Sequence, residues 1–277
     1  MTEFLSVEGG RIAYEVAGEG PLVVLAHGLG DTRYAYRFVV PLLVAAGYRV
    51  AATDLRGTGE SDAGFAGYTR TDIAGDLVAL IRHLGGPAVL VGHSISGGAA
   101  TIAAATAPDL IAALVELAPF TRKQAFSLGA LRVRRYRQGV ARMMRVALFG
   151  SIKAWLGYLD ISFPGRRPAD WEAQLARIES MLHEPGRRKA LQKMCQTTPA
   201  DADAHLSGVR CPTLIIQTGL DPDWIDPEAE GRAIVAALPA GLGRLEMIEG
   251  AGHYPHTQTP EQVVALMLPF LAENVRA

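Results

Sequence analysis

Five short runs, LVVLA (22–26), YRVAAT (48–53), PAVLVG (87–92), IAALVEL (111–117) and TLIIQT (213–218), are apolar at nearly every residue. A strand that faces solvent on one side alternates polar with apolar residues; a continuous run faces protein on both sides. Between these runs the apolar spacing lengthens to a helical period. After Thr69 it falls at Ile73, Leu77, Leu80, Ile81 and Leu84, on one helical face. Thr69, with Asp72 three residues on, has the form of a capping box that starts this helix. Strands alternating with helices imply a parallel sheet covered on both faces.

Two more strands are expected at the N-terminus, FLSV and RIAYEV around Gly9-Gly10, and one at GRLEMIEG (243–250). Helices are expected over Tyr34–Ala46, in the small-residue segment SGGAATIAAATA, and from Thr259 with Pro260 at its first position. The expected fold is therefore α/β: a mostly parallel eight-stranded sheet flanked by helices. The alternation breaks between Pro119 and Ser207, where helical patterns follow one another. This gives a core of residues 1–118 and 208–277, with a helical cap, 119–207, inserted in it as a lid on a single structural domain.

The chain has 277 residues and a formal net charge of −1, which gives no global attraction for nucleic acid. Its first residues lack a basic segment followed by an apolar one, and no run approaches the ~18 apolar residues of a membrane span. Cys195 and Cys211 form no C-x-x-C pair and are too few for a zinc site. Two reduced thiols and a cytoplasmic location are expected. No membrane insertion and no metal are expected. The expected partner is a small-molecule substrate, and a homodimer is compatible with the sequence.

The strand PAVLVG runs into His93-Ser94-Ile95-Ser96-Gly97-Gly98 and then a helix. A sharp strand-to-helix turn lifts a serine off the sheet and aims a helix N-terminus at developing negative charge. Ser94 has glycine two positions before it, where such a turn is tightest; for Ser96 that position is Ser94. Ser94 is therefore the candidate nucleophile. Ser96 stands where a second glycine is usual, so the turn is expected to be crowded. Catalytic groups in open α/β sheets sit at the carboxyl ends of strands. Three further ends carry suitable chemistry: Asp221-Pro222-Asp223, Ala251-Gly252-His253 and His27-Gly28-Leu29-Gly30.

HGLG, DLRGTGESD, VGHSISGG, PTLIIQTGLDPD and GAGHYPH, in this order and spacing, resemble the α/β-hydrolase superfamily over nearly the whole chain. The resemblance implies a Ser94–Asp221–His253 triad and an oxyanion hole formed by the N–H groups of Leu29 and Ile95. Asp221 lies nine residues after Pro212, a family spacing for the acid; Asp223, four residues before Pro227, fits a second and is the alternative acid. Members resembling epoxide hydrolases or haloalkane dehalogenases carry aspartate at the turn, which Ser94 disfavours. Serine fits cleavage of a small to medium carboxylic ester or lactone through an acyl-enzyme, without a cofactor. C–C bond hydrolysis or cofactor-free perhydrolysis on the same groups is an alternative. A ligand sensor with little turnover is another; some signalling members resemble this chain in having serine at the position of Ser96.

His93 and His27 are read as hydrogen-bonded structural residues, His256 as a loop residue supporting the site, and His83 as a helix-surface residue. Arg56 is expected to tie its loop to backbone carbonyls or to Asp54. Phe120, Met143, Met144 and Trp155 are candidate pocket residues in a segment also rich in Phe126, Leu156, Tyr158 and Trp171. From Leu117 to Leu159 there is no acid but nine Lys and Arg. This stretch reads as a solvated helix face, as a patch steering an acidic substrate, or as a membrane-surface helix.

Overall fold

A computed structural model describes residues 1–123 and 128–275; Phe126 lies outside them. In chain order the strands are β1 (Glu3–Val7), β2 (Gly10–Ala17), β3 (Leu22–Ala26), β4 (Arg49–Thr53), β5 (Ala88–His93), β6 (Ile111–Leu117), β7 (Thr213–Thr218) and β8 (Gly243–Ile248). The helices are α1 (Val39–Ala45), α2 (Arg70–His83), α3 (Ile95–Thr106), α4 (Arg134–Phe149), α5 (Ile152–Ser162), α6 (Trp171–His183), α7 (Arg187–Cys195), α8 (Ala200–His205), α9 (Pro227–Ala237), α10 (Pro255–Gln258) and α11 (Pro260–Asn274).

The eight strands form one sheet in the order β1-β2-β4-β3-β5-β6-β7-β8. The hairpin of β1 and β2 adds antiparallel to β4, and the other pairs are parallel. The apolar runs sort their residues by alternation. Val24, Leu90, Leu114 and Ile215 pack on the face carrying α2 and α3; Val23, Leu25, Val89, Val91, Leu214 and Ile216 pack on the face carrying α1 and α11. Burial on both faces is why these strands lack polar alternation.

The segment between β6 and β7 holds α4 to α8. Helices α4 and α5 pack together, and α4 also meets α7, whereas α8 lies against α2 and α3. On α4, Tyr136, Gly139 and Val146 are buried, Met143 is half-buried, and Met144 is 56% exposed although it shares the apolar side by spacing. Arg135 and Arg142 donate to backbone carbonyls of Ile225 and Gln138, while Arg134, Arg137 and Arg145 are exposed. No helix among the described residues is long and apolar enough to cross a membrane.

Three local expectations change. Tyr34–Ala46 is not one helix but a 3-10 turn at Arg33–Tyr36 followed by the short α1. The Thr69 capping box forms, but Thr259 caps α11 without a side-chain bond to it; its hydroxyl donates to the Pro255 carbonyl, 3.2 Å away. Arg56 does reach a backbone carbonyl, that of Gly67 at 3.0 Å, but its carboxylate partner is Asp76 rather than Asp54, in a two-pronged bond of 2.7 Å on each prong, and Asp54 is taken by Arg33. Arg56 and Asp76 are both buried, so breaking the pair leaves a charge without compensation. We expect Arg56→Ala to cost ~3–5 kcal/mol of stability, read as a lowered denaturant midpoint. An unchanged midpoint would show that the ion pair adds nothing.

Candidate active site

Ser94 is the residue at which β5 becomes α3. Its φ of 55° and ψ of −117° put a non-glycine residue in a strained backbone region. Gly92 is required beneath it, because a Cβ there would run into the carbonyl of Ser96. A Cβ at Gly97 would lie 2.8 Å from the Pro119 ring. Ser96 is buried and bonded. Its hydroxyl lies 2.6 Å from the Ala26 carbonyl at the end of β3, 2.9 Å from the His93 carbonyl, and accepts the His93 N–H at 2.9 Å. The serine thus ties the turn to the neighbouring strand, a function glycine would lack. Ser96→Ala should cost about 1–3 kcal/mol by stranding buried partners. The observable is a melting temperature lower by several degrees; no change would mean that the turn holds itself.

The loop after β8 brings His253 to the same end of the sheet. Its N–H donates to the Ser162 carbonyl at 3.0 Å, and His93 Nε2 lies 2.7 Å from its carbonyl. His253 Nδ1 is 2.8 Å from Asp221 Oδ2. Asp221 is fully buried and also accepts the N–H of Asp223 at 2.9 Å. Asp223 occupies a different place: its Oδ2 lies 3.6 Å from the other imidazole nitrogen, Nε2, and its Oδ1 accepts the Tyr158 hydroxyl at 2.8 Å. The two aspartates flank one imidazole rather than competing for one position. Burial pushes the His253 pKa down, but Asp221 and Asp223 outweigh it and hold it up at about 9. Burial raises Asp223 to about 6, against the pull of His253.

Three further histidines lie near but are neutral. Burial drives His93 well below the usual imidazole range, His27 to about 4 and His256 to about 3. His27 bonds the Gly28 carbonyl and accepts the Leu55 N–H. His256 stacks on Tyr36, with ring centroids 4.8 Å apart. His83 is exposed on α2 and bonds the Tyr14 hydroxyl.

Ser94 and His253 line one cavity of about 300 Å³, together with Leu29, Ile95 and Asp223. Phe120, Met143, Met144 and Trp155 line it too. Ile95 is the first residue of α3, so its N–H has no acceptor within the helix. The Gly28 backbone approaches closely enough that a Cβ there would lie 3.2 Å from Ser94 Cβ, which sets Leu29 beside the nucleophile candidate. Tyr158 and Arg70 also line the cavity and were not singled out as site residues from the sequence. Tyr158 looked like one aromatic among several, and Arg70 like part of a helix cap. Among the described residues, Asp221, Asp223 and His253 are the group whose donor atoms lie close enough, within 4.8 Å, to hold a metal ion. Two of those donors already bond each other.

An eight-stranded, mostly parallel sheet with a serine at a strained strand-to-helix turn defines an α/β hydrolase. The model of the alpha/beta hydrolase family matches residues 23–266, and the chain belongs to that family. It is 28% identical to the 2-(acetamidomethylene)succinate hydrolase of Mesorhizobium japonicum over 96% of this chain and 94% of the relative. The enol-lactonase from Burkholderia xenovorans LB400 superposes with a TM-score of 0.78 at 22% identity, covering 98% of this chain and all of that one; at this identity the likeness shows the fold. A thermophilic esterase from Thermogutta terrifontis superposes with a TM-score of 0.74 at 25% identity, over the full length of both chains.

Proposed function

We propose that this protein is a serine hydrolase that cleaves small to medium carboxylic esters or lactones through an acyl-enzyme. The observation that carries this reading is that Ser94, on its strained turn, shares an apolar cavity with an imidazole whose Nδ1 is held by the buried Asp221. His253 Nε2 takes the Ser94 proton as Oγ attacks the acyl carbon, and Asp221 fixes the tautomer and balances the imidazolium. The N–H groups of Leu29 and Ile95 stabilise the oxyanion; each such donor supplies about 3 kcal/mol. Collapse breaks the acyl–oxygen bond and His253 returns the proton to the leaving alkoxide. Water, deprotonated by the same imidazole, then adds to the acyl carbon and releases the acid and Ser94. No step draws on a metal or an organic cofactor. Residues 119–207 act as the cap that closes this site, since their Phe120, Met143, Met144 and Trp155 form its apolar wall. Unpaired Cys195 and Cys211 favour a cytoplasmic setting.

The direct test is a fluorophosphonate probe followed by mapping of the modified residue. Labelling of Ser94, prevented by prior Ser94→Ala substitution, is the expected result. Labelling of another serine, or none at a pH where His253 is neutral, would remove the assignment.

A further inference from the structure

Arg70 opens α2, and its side chain is 4% exposed. It crosses the face of α3 at Gly98, where a Cβ would lie 2.8 Å from Arg70 Cδ. Nε donates to the Phe120 carbonyl at 3.0 Å and Nη1 to the Thr197 hydroxyl at 3.2 Å. A guanidinium has five N–H donors, so three stay available after these two bonds. The other deeply placed arginines have carboxylate partners: Arg33 has Asp54, Arg37 has Asp170 and Arg56 has Asp76. Arg70 has no such direct partner among the described residues; Asp201 acts on it at longer range, and burial lowers its pKa to about 10. It remains a cation at neutral pH.

A buried guanidinium without a paired carboxylate is costly, and a stable fold would be expected to pair it or replace it. Arg70 instead lines the same cavity as Ser94 and His253. The route between them is short. The Phe120 peptide accepts from Arg70 Nε through its carbonyl and donates through its N–H to the Ser94 carbonyl at 3.0 Å. Asp223 belongs to the other side of the site, where Tyr158 and His253 hold it. The cavity is thus apolar walled, with a cation on the α2–α3 side and an acid on the His253 side.

We infer that Arg70 is the anchor for a carboxylate on the substrate, so that the preferred substrates are esters or lactones carrying a free carboxylate a few carbons from the scissile acyl group. This rests on the hydrolase reading for the bond that is cleaved, but the anchoring itself does not. The guanidinium fork meets a carboxylate with two parallel N–H···O bonds, which orients the acyl carbon as well as holding it. A neutral ester of the same shape leaves those donors unmet.

Monomethyl adipate and dimethyl adipate differ in this one charge. Titration calorimetry of the Ser94→Ala protein with each separates binding from turnover. The monoester should bind at least about 10-fold more tightly, and Arg70→Met should erase the difference. Arg70→Lys, which keeps the charge but not the fork, should retain part of it and serves if the methionine variant does not fold. Equal affinity for the two esters, no measurable binding of either at millimolar concentration, or a preference that survives Arg70→Met overturns the proposal. Selective binding in Ser94→Ala with no hydrolysis of either ester by the unmodified protein would leave the anchor standing and remove the hydrolase reading instead.

Discussion

Ser94→Ala should lower ester turnover by about 10⁶-fold, to the residue of rate that binding and oxyanion stabilisation supply without a nucleophile. The loss should fall on kcat, because the hydroxyl makes its bond to the acyl carbon only on the way to the transition state. The melting temperature should stay within a few degrees. The strain at φ 55° belongs to the backbone, which alanine inherits, and the bonds that fix the turn come from elsewhere: Ser96 to Ala26, and the Ser94 N–H to the Leu117 carbonyl at 3.1 Å. Turnover within 10-fold of the unmodified protein, with folding retained, would move the nucleophile to another residue.

Much of this site could be read in the chain because the relevant residues are placed by covalent neighbours. Gly92 precedes Ser94 by two, so a local turn rule singles out Ser94, whereas the preference for Asp221 over Asp223 comes from the resemblance to the family spacing after Pro212. The parallel sheet was legible for a similar reason: runs such as LVVLA can be satisfied only between two apolar layers. Long-range partners were not. The choice of Asp76 over Asp54 by Arg56 depends on where α2 lies against the loop, and no spacing encodes that. Arg70 shows the same limit. In the sequence it stands in a capping box, and its route over Gly98 to the cavity exists only once α2 and α3 are packed. Ser96 shows the limit from another side. Its volume was legible, but its two carbonyl neighbours were not.

The aspartates on either side of His253 should separate in a pH profile. A general base works as neutral imidazole, and both carboxylates hold His253 protonated up to about pH 9. The kcat/KM should therefore rise with pH and level off above about 9. At pH 7, two units below, about 1% of the molecules carry the free base. Asp221→Asn should reduce kcat by ~10⁴-fold, because the amide oxygen keeps the Asp223 N–H and the amide NH2 then faces His253 Nδ1 and donates to it, which favours the wrong tautomer. Asp223→Asn should do the reverse at neutral pH. Removing a negative charge 3.6 Å from Nε2 lowers the imidazole pKa, by about 1 unit for a neighbour of this kind, and raises kcat/KM at pH 7 by about 10-fold. The plateau itself should move little, since Asp223 does not hold the tautomer. An Asp223→Asn profile superimposable on the original would show that this carboxylate does not act on His253. If Asp223→Asn instead abolished activity and Asp221→Asn spared it, the two acids would exchange their assigned places. A general base held protonated limits kcat/KM at pH 7, and a single substitution at position 223 should raise it about 10-fold without any change in the cap.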